Sequence, residues 1–79
     1  MITVRLFASL RELAGWGERS LAIKPDSPSP TPASLWPQLG LGEAIPPQVR
    51  VAVNQAFSAL DQPLKSGDEV AFLPPISGG

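Results

Sequence analysis

The residues of this chain best suited to chemistry carry no side chain. Gly78 and Gly79 stand at its end. Lacking a Cβ, the pair can pass through a channel too narrow for any side chain and take φ values closed to other residues. Pro74 and Pro75 stiffen the root of this tail and direct it outward, and Ile76, followed by Ser77, supplies one apolar anchor before the narrow part. Fully extended, the five residues after Pro74 reach at most roughly 17 Å. That length brings a terminal carboxylate to a buried site while the rest of the chain stays outside. A free carboxylate is a poor electrophile, because oxide or hydroxide would have to leave. Joined to a phosphate leaving group as an acyl-adenylate, the same carbonyl is readily attacked by sulfur or nitrogen. The tail therefore makes sense as a substrate to be activated, not as a catalyst. Two glycines alone favour a frayed end; the proline pair and the strand pattern just before them reverse that preference toward the activated tail.

Little else competes for a chemical role. The chain has no histidine, cysteine or tyrosine, which removes the usual neutral-pH base, thiolate metal sites, disulfides and the phenolic acid. No carboxylate pair has motif support for metal or glycosidic chemistry, and Gly15-Trp16-Gly17 is no phosphate loop. No metal site and no permanently bound cofactor are expected. Six basic and seven acidic side chains leave a formal charge of -1, with no basic stripe for nucleic acid. There is no apolar run long enough for a membrane span and no secretory pattern at Met1–Arg5, so a soluble, cytoplasmic protein is the expectation. At 79 residues the chain is one small domain, burying roughly 60% of its unfolded surface. It holds a core but hardly a deep pocket as well. Hydrophobic residues at 43% argue against general disorder despite ten prolines.

The elements that must hold the tail follow from periodicity. Ile2, Val4 and Leu6 alternate with Thr3 and Arg5 as in a strand with one buried face, extended by Phe7 and Ala8. Ser9 with Glu12 reads as a capping box for a short helix whose Leu10 and Leu13 point inward and which Gly15-Trp16-Gly17 ends. Ser20–Lys24 reads as a second strand with Leu21 and Ile23 on one face, stopped by Pro25. After the proline-stiffened loop 25–30, Thr31-Pro32 is a cap and first-turn proline. Leu35, Trp36 and Leu39 then face the core over one or two irregular turns around Pro37, ended by Gly40 or Gly42. Val49, Val51 and Val53 make the clearest central strand, and Asn54-Gln55 a tight reversal into a short return carrying Phe57. Turn signals follow at 61–68, then a last strand in which Val70 and Phe72 alternate with Glu69 and Ala71. The order predicts a two-layer α+β domain over residues 1–75, a mixed sheet packed against short helices, with a flexible tail over 76–79.

Three stretches carry a family resemblance. Gly67-Asp68-Glu69-Val70-Ala71-Phe72-Leu73-Pro74-Pro75-Ile76-Ser77-Gly78-Gly79 resembles the ending of the molybdopterin synthase small-subunit family, whose members are ubiquitin-like sulfur carriers. Val51-Ala52-Val53-Asn54-Gln55 is similar to that family's central strand and turn. Val4–Ala8 followed by Leu10–Gly15 matches its opening. The resemblance implies a ubiquitin-like β-grasp fold and a cycle at the terminal carboxylate. A ubiquitin-activating-like adenylating enzyme spends ATP to activate Gly79, and a sulfur donor protein turns the adenylate into a thiocarboxylate. The tail then enters the large synthase subunit, in a heterotetramer of two small and two large subunits, and sulfur passes to cyclic pyranopterin monophosphate. The large subunit supplies the catalytic side chains. The family's regular helix is interrupted here by Pro28, Pro30, Pro32 and Pro37.

Several side chains keep two readings. Phe7 resembles a family residue facing the large subunit, while a core phenylalanine fits the strand end as well. Leu60 is read as interface and Phe57 as core; Pro74 and Pro75 are placed with the interface. Arg11 either meets an acidic partner surface or shares a solvated face with Glu12. Trp16 is either a docking residue or a lid on the core, Asn54 a turn former, and Lys65 with Asp68 a turn. Three further functions use the same residues: a ubiquitin-like modifier joined through Gly79 to lysines, a sulfur carrier for thiamine or tRNA thiolation, and an interaction domain with an idle tail.

Overall fold

The computed structural model describes residues 1–22 and 29–74. Ile23–Pro28, including the predicted end of the second strand at Ile23 and Lys24, lie outside the described residues, as do Pro75, Ile76, Ser77, Gly78 and Gly79.

Strand β1 (Ile2–Leu6) is followed by helix α1 (Ala8–Ala14) and β2 (Glu18–Leu21). Helix α2 (Pro32–Leu35) runs into a 3-10 turn (Trp36–Leu39), and β3 (Arg50–Val53), β4 (Ala56–Phe57) and β5 (Glu69–Leu73) complete the order. The five strands form one mixed sheet in the order β2-β1-β5-β3-β4. β5 runs parallel to β1, with Val4 beside Val70 and Leu6 beside Phe72, and antiparallel to β3, with Val51 beside Phe72. The β2–β1 and β3–β4 pairs are antiparallel. Val49–Val53 is therefore not the central strand of the sheet: β5 is, with β3 one place toward the edge.

One face of the sheet makes the core. Ile2, Val4 and Leu6 of β1, Val51 of β3, and Val70 and Phe72 of β5 are buried together with Val49, Leu10, Leu35, Trp36, Leu39 and Leu64. Trp36 meets Phe72 edge to face at 5.2 Å between ring centroids, an arrangement the ring quadrupoles favour. Its indole N–H finds no acceptor among the described residues. An unmade hydrogen bond costs about 1–3 kcal/mol, whereas burying an aromatic surface of some 150–250 Å² gains about 4–6 kcal/mol at 25 cal/mol per Å². Burial wins, and the ring stays in.

Over residues 32–39 the proline-rich stretch folds as two short turns. Thr31 caps α2: its hydroxyl oxygen accepts from the Ser34 N–H at 3.1 Å and the Ser34 hydroxyl oxygen accepts from the Thr31 N–H at 2.8 Å. Pro37 is accommodated because the helix type changes at Trp36, so it lies in the first turn of the 3-10 segment, where its missing N–H is not needed. Gly40, in the left-handed region at φ 81°, ends it.

Helix α1 departs from expectation. It begins at Ala8, β1 stops at Leu6, and the residue before the helix is Phe7 with no side-chain cap, so the Ser9–Glu12 capping box does not form. The chain turns into the helix through Ala8 itself, at φ 51°. Leu10 reaches the core, but Leu13 is 76% exposed rather than inward. Seven residues make only two turns, and the sheet covers one narrow stripe of them. Strand β2 likewise forms earlier than Ser20–Lys24, because Glu18 and Arg19 complete the pairing with Arg5 and Val4.

A polar knot fastens the start of β5. The Asp68 carboxylate accepts from the Lys65 N–H at 2.9 Å and from Asn54 Nδ2 at 3.0 Å, while Asn54 Oδ1 accepts from the Glu69 N–H at 3.0 Å. Asn54 and Gln55 both take positive φ in the β3–β4 turn, as the turn reading requires. The Lys65 N–H first, then the Asn54 amide, hold the Asp68 carboxyl below the usual aspartate range, against the opposing effect of burial. A lowered folded-state pKa stabilises above the ordinary aspartate value, and that stability disappears as pH falls through the folded value. The melting temperature should accordingly fall as the solution is acidified below the ordinary aspartate pKa. Asp68→Asn should lower it at neutral pH and flatten the acid limb, which a series of thermal melts against pH would read. An acid limb unchanged in Asp68→Asn would assign the pH dependence to other carboxylates.

Candidate functional site

Strand alternation that buries Val70 and Phe72 turns Ala71 and Leu73 to the other face of β5. The same phase puts Arg5 outward on β1 and Ala52 outward on β3, beside Ala71 on either flank. Phe57, directly opposite Ala52, joins them. Phe7, Ala52, Phe57, Ala71 and Leu73 make an apolar groove of about 280 Å³ on the open face of the sheet, with Arg5, Glu69 and Gln55 along its polar side.

Phe57 is thus not a core residue, as read from the sequence: it is 70% exposed, with the Arg50 guanidinium 4.8 Å from its ring centroid. Its strand is only two residues long, at the sheet edge, and its partner Ala52 faces away from the core. Phe7 is 42% exposed and lies in the groove. Arg11 is exposed and lines, with Phe7, Arg5, Gly17 and Glu18, a second depression at the end of β1. The structure brings Phe7 and Arg11 together. Leu60 lies in the loop after β4, its carbonyl accepting from the Ala33 N–H at 2.9 Å, and is not part of the groove lining. It remains partly exposed, at the surface rather than in the core.

Electrostatics across the face are local. Arg5 Nη2 lies 3.0 Å from Glu18 Oε1, and Arg5 Nε lies 3.8 Å from Glu69 Oε1, joining three strands at the polar side of the groove. These exposed pairs stabilise little, but they engage the Arg5 guanidinium. Trp16 is half-buried against the core, with the Arg19 guanidinium 4.3 Å from its ring centroid, so it is a lid that keeps one face occupied.

The tail is rooted in this site. Leu73 lines the groove, Pro74 follows it half-buried, and the predicted tail residues Pro75 through Gly79 lie outside the described residues. Since β5 is the central strand, the last described residues, Leu73 and Pro74, stand at the middle of the sheet. Among the described residues no group of three His, Cys, Asp or Glu is arranged to hold a metal, and no helix is long and apolar enough to cross a membrane. Sequence reasoning missed Ala52, Ala71 and Leu73 as site residues. Their signal was the alternation itself, which names an outward set along with each buried one.

A mixed sheet with parallel central strands, two short helices on one face and an open apolar other face defines a ubiquitin-like β-grasp protein. The match to the ThiS family model covers residues 4–79, and the chain belongs to that family of ubiquitin-like sulfur carriers, homologous to the molybdopterin synthase small subunit. It is 37% identical over 87 aligned residues, covering all of both chains, to the molybdopterin synthase sulfur carrier subunit of Escherichia coli K12. Among solved structures it is similar to SAMP1 from Haloferax volcanii, with a TM-score of 0.77, 24% identity and coverage of 99% of this chain and 98% of that one. It is also similar to a chain in the complex of subunits 1 and 2 of the molybdopterin-converting factor from Helicobacter pylori, with a TM-score of 0.63, 26% identity, and coverage of 99% and 97%. Members of the family are sulfur-donating subunits without catalysis of their own.

Proposed function

We propose that this protein carries sulfur for molybdopterin synthesis on the carboxylate of Gly79. The observation that carries the reading is the end-to-end likeness to a molybdopterin synthase sulfur carrier subunit, within a family match that runs through residue 79. In the cycle, the carboxylate attacks the α-phosphate of ATP on an adenylating enzyme, forming the acyl-adenylate and releasing pyrophosphate. Sulfide released by a sulfur donor protein then displaces AMP, leaving a thiocarboxylate at Gly79 and freeing a proton. Delivered by the tail 76–79 into a large synthase subunit, that sulfur forms a bond to a carbon of cyclic pyranopterin monophosphate as a carbon–oxygen bond there breaks and its oxygen leaves protonated. Hydrolysis of the resulting acyl-sulfur bond returns the carboxylate. Two charged carriers complete the dithiolene, which suits an assembly of two small and two large subunits.

Partner binding falls to the open face. Phe7, Phe57 and Leu73 offer an apolar anchor of the kind that dominates interfaces, with Arg11 at the rim, Pro74 and Pro75 at the root of the tail, and Leu60 on the surface in the loop after β4. The complex of subunits 1 and 2 from Helicobacter pylori supports a large-subunit partner of this kind.

The test is the intact mass of the protein isolated from its own cell. A population heavier by the difference between sulfur and oxygen, localised to Gly79 and lost on incubation with large subunit and precursor, is the expected result. Gly79 remnants on the lysines of cellular proteins, without a thiocarboxylate form, would point to a protein modifier instead. A thiocarboxylate consumed only in thiamine or tRNA thiolation would assign the carrier to those pathways.

A further inference from the structure

We propose that Gly17 is a positioning residue, whose missing side chain lets Arg11 lie against the turn at Gly17 and keep its guanidinium at the depression that Phe7 also lines, for an acidic group on the docking partner. The proposal rests on the partner-binding reading of Phe7 and Arg11 above.

The glycines of the described chain fall into two kinds. Gly15, Gly40, Gly42 and Gly67 have positive φ and open space where a Cβ would go, so their backbone conformation explains them. Gly17 is the reverse. Its φ lies outside the left-handed region, so no positive φ accounts for it. The space beside it is filled instead: a Cβ there would stand 2.9 Å from Arg11 Nε and 3.2 Å from Arg11 Cδ and Cζ. What a side chain at this position would displace is the Arg11 side chain.

Both ends of the contact are anchored through their backbones. The Arg11 carbonyl accepts from the Gly15 N–H at 3.0 Å, closing α1, and the Gly17 carbonyl accepts from the Leu6 N–H at 3.0 Å, fastening the turn to β1. A methyl group at position 17 would therefore displace the free end of Arg11 and leave the backbone where it is. Arg11 is also the arginine best placed to receive a carboxylate. Of the four arginines, Arg5 is engaged by Glu18 and Glu69, Arg19 lies over Trp16, and Arg50 lies over Phe57. Arg11 makes no ion pair or aromatic contact among the described residues. Held against the turn, it lines the depression that also contains Phe7, so a partner seated on Phe7 meets a charge already in place. An arginine ordered before binding loses less rotamer freedom when it binds.

The test compares Gly17→Ala, Arg11→Ala and the double variant of the full chain, each binding the cognate large synthase subunit over a range of salt concentrations. Arg11→Ala should weaken association about two- to fivefold at low salt and flatten its salt dependence. Gly17→Ala should reproduce most of that loss, melt like the wild type, shift the Arg11 Nε–H resonance in the free protein, and cost nothing more when Arg11 is already alanine. Wild-type binding by Gly17→Ala, with Arg11→Ala weakened, would overturn the positioning role while leaving the docking surface intact. Additive losses in the double variant, or a clearly lower melting temperature for Gly17→Ala, would overturn it too, by giving the glycine a role of its own. If Arg11→Ala binds like the wild type, the docking role of Arg11 fails, and this proposal fails with it.

Discussion

Val51→Asp should unfold the domain, whereas Arg50→Asp, one residue away, should leave it folded. Val51 is buried in β3 beside Phe72 of β5, in the same core as Leu35, Trp36 and Leu39. A carboxylate there has no partner and no water, and an uncompensated buried charge costs several kcal/mol even after the surroundings relax. A domain of this length has few kcal/mol to lose. Arg50 points to the open face and stands over the Phe57 ring. Losing an exposed cation–π contact costs about 0.5–1 kcal/mol, equivalent to roughly 2–8 °C of melting temperature in a domain this small. Far-UV circular dichroism at 25 °C with thermal melts would separate the two. Equal damage from both, or a folded Val51→Asp protein, would mean that the buried face has been assigned wrongly.

The contrast between adjacent residues was legible in the sequence because period-2 alternation is a local property. Ile2, Val4 and Leu6, or Val70 and Phe72, declare a buried set without reference to anything else in the chain. Thr31-Pro32 was legible for a similar reason, since a cap and a first-turn proline act within one turn. Pro37 looked awkward only for a single helix type; the change to a 3-10 turn at Trp36 resolves it. Strand order is another matter. That β5 stands between β1 and β3 depends on pairings between distant parts of the chain, and alternation is silent on those. Phe57 was misread because a two-residue strand has no period, and its exposure follows from its partner Ala52, which faces outward. Leu13 was misread because helical spacing names a stripe without saying how wide a stripe the sheet can cover. Of the candidate site, the sequence marked the tail and Phe7, while the groove that roots the tail needed the register of three strands.

Removing Gly79, or adding a residue after it, should abolish sulfur transfer without lowering the melting temperature. The fold is held by β1, β3, β5 and the helices, and every buried residue described lies before the tail. Deleting Gly79 draws the carboxylate back by roughly 3.3–3.6 Å. Reacting atoms must approach within about 3–3.5 Å of each other, so a displacement of that size takes the carbonyl out of reach in both the adenylating enzyme and the synthase. Stiff prolines at 74 and 75 limit how far the tail can stretch to compensate. One added residue leaves the reach but converts the carbon to be activated into an amide, which has no free carboxylate oxygen to attack ATP. Gly79→Ala keeps reach and carboxylate, adds a methyl group at the narrowest point and penalises positive φ, so its loss should be partial. The measurement is molybdopterin formed from cyclic pyranopterin monophosphate by the large subunit with ATP, adenylating enzyme and a sulfur source, alongside the intact mass of each variant. Deletion and extension should show neither thiocarboxylate nor product, and alanine a reduced yield of both. Thiocarboxylate without product in the alanine variant would locate the narrow passage in the synthase rather than in the adenylating enzyme. Wild-type turnover by the deleted protein would show that the terminus takes no part in the chemistry, and the sulfur-carrier reading would fall.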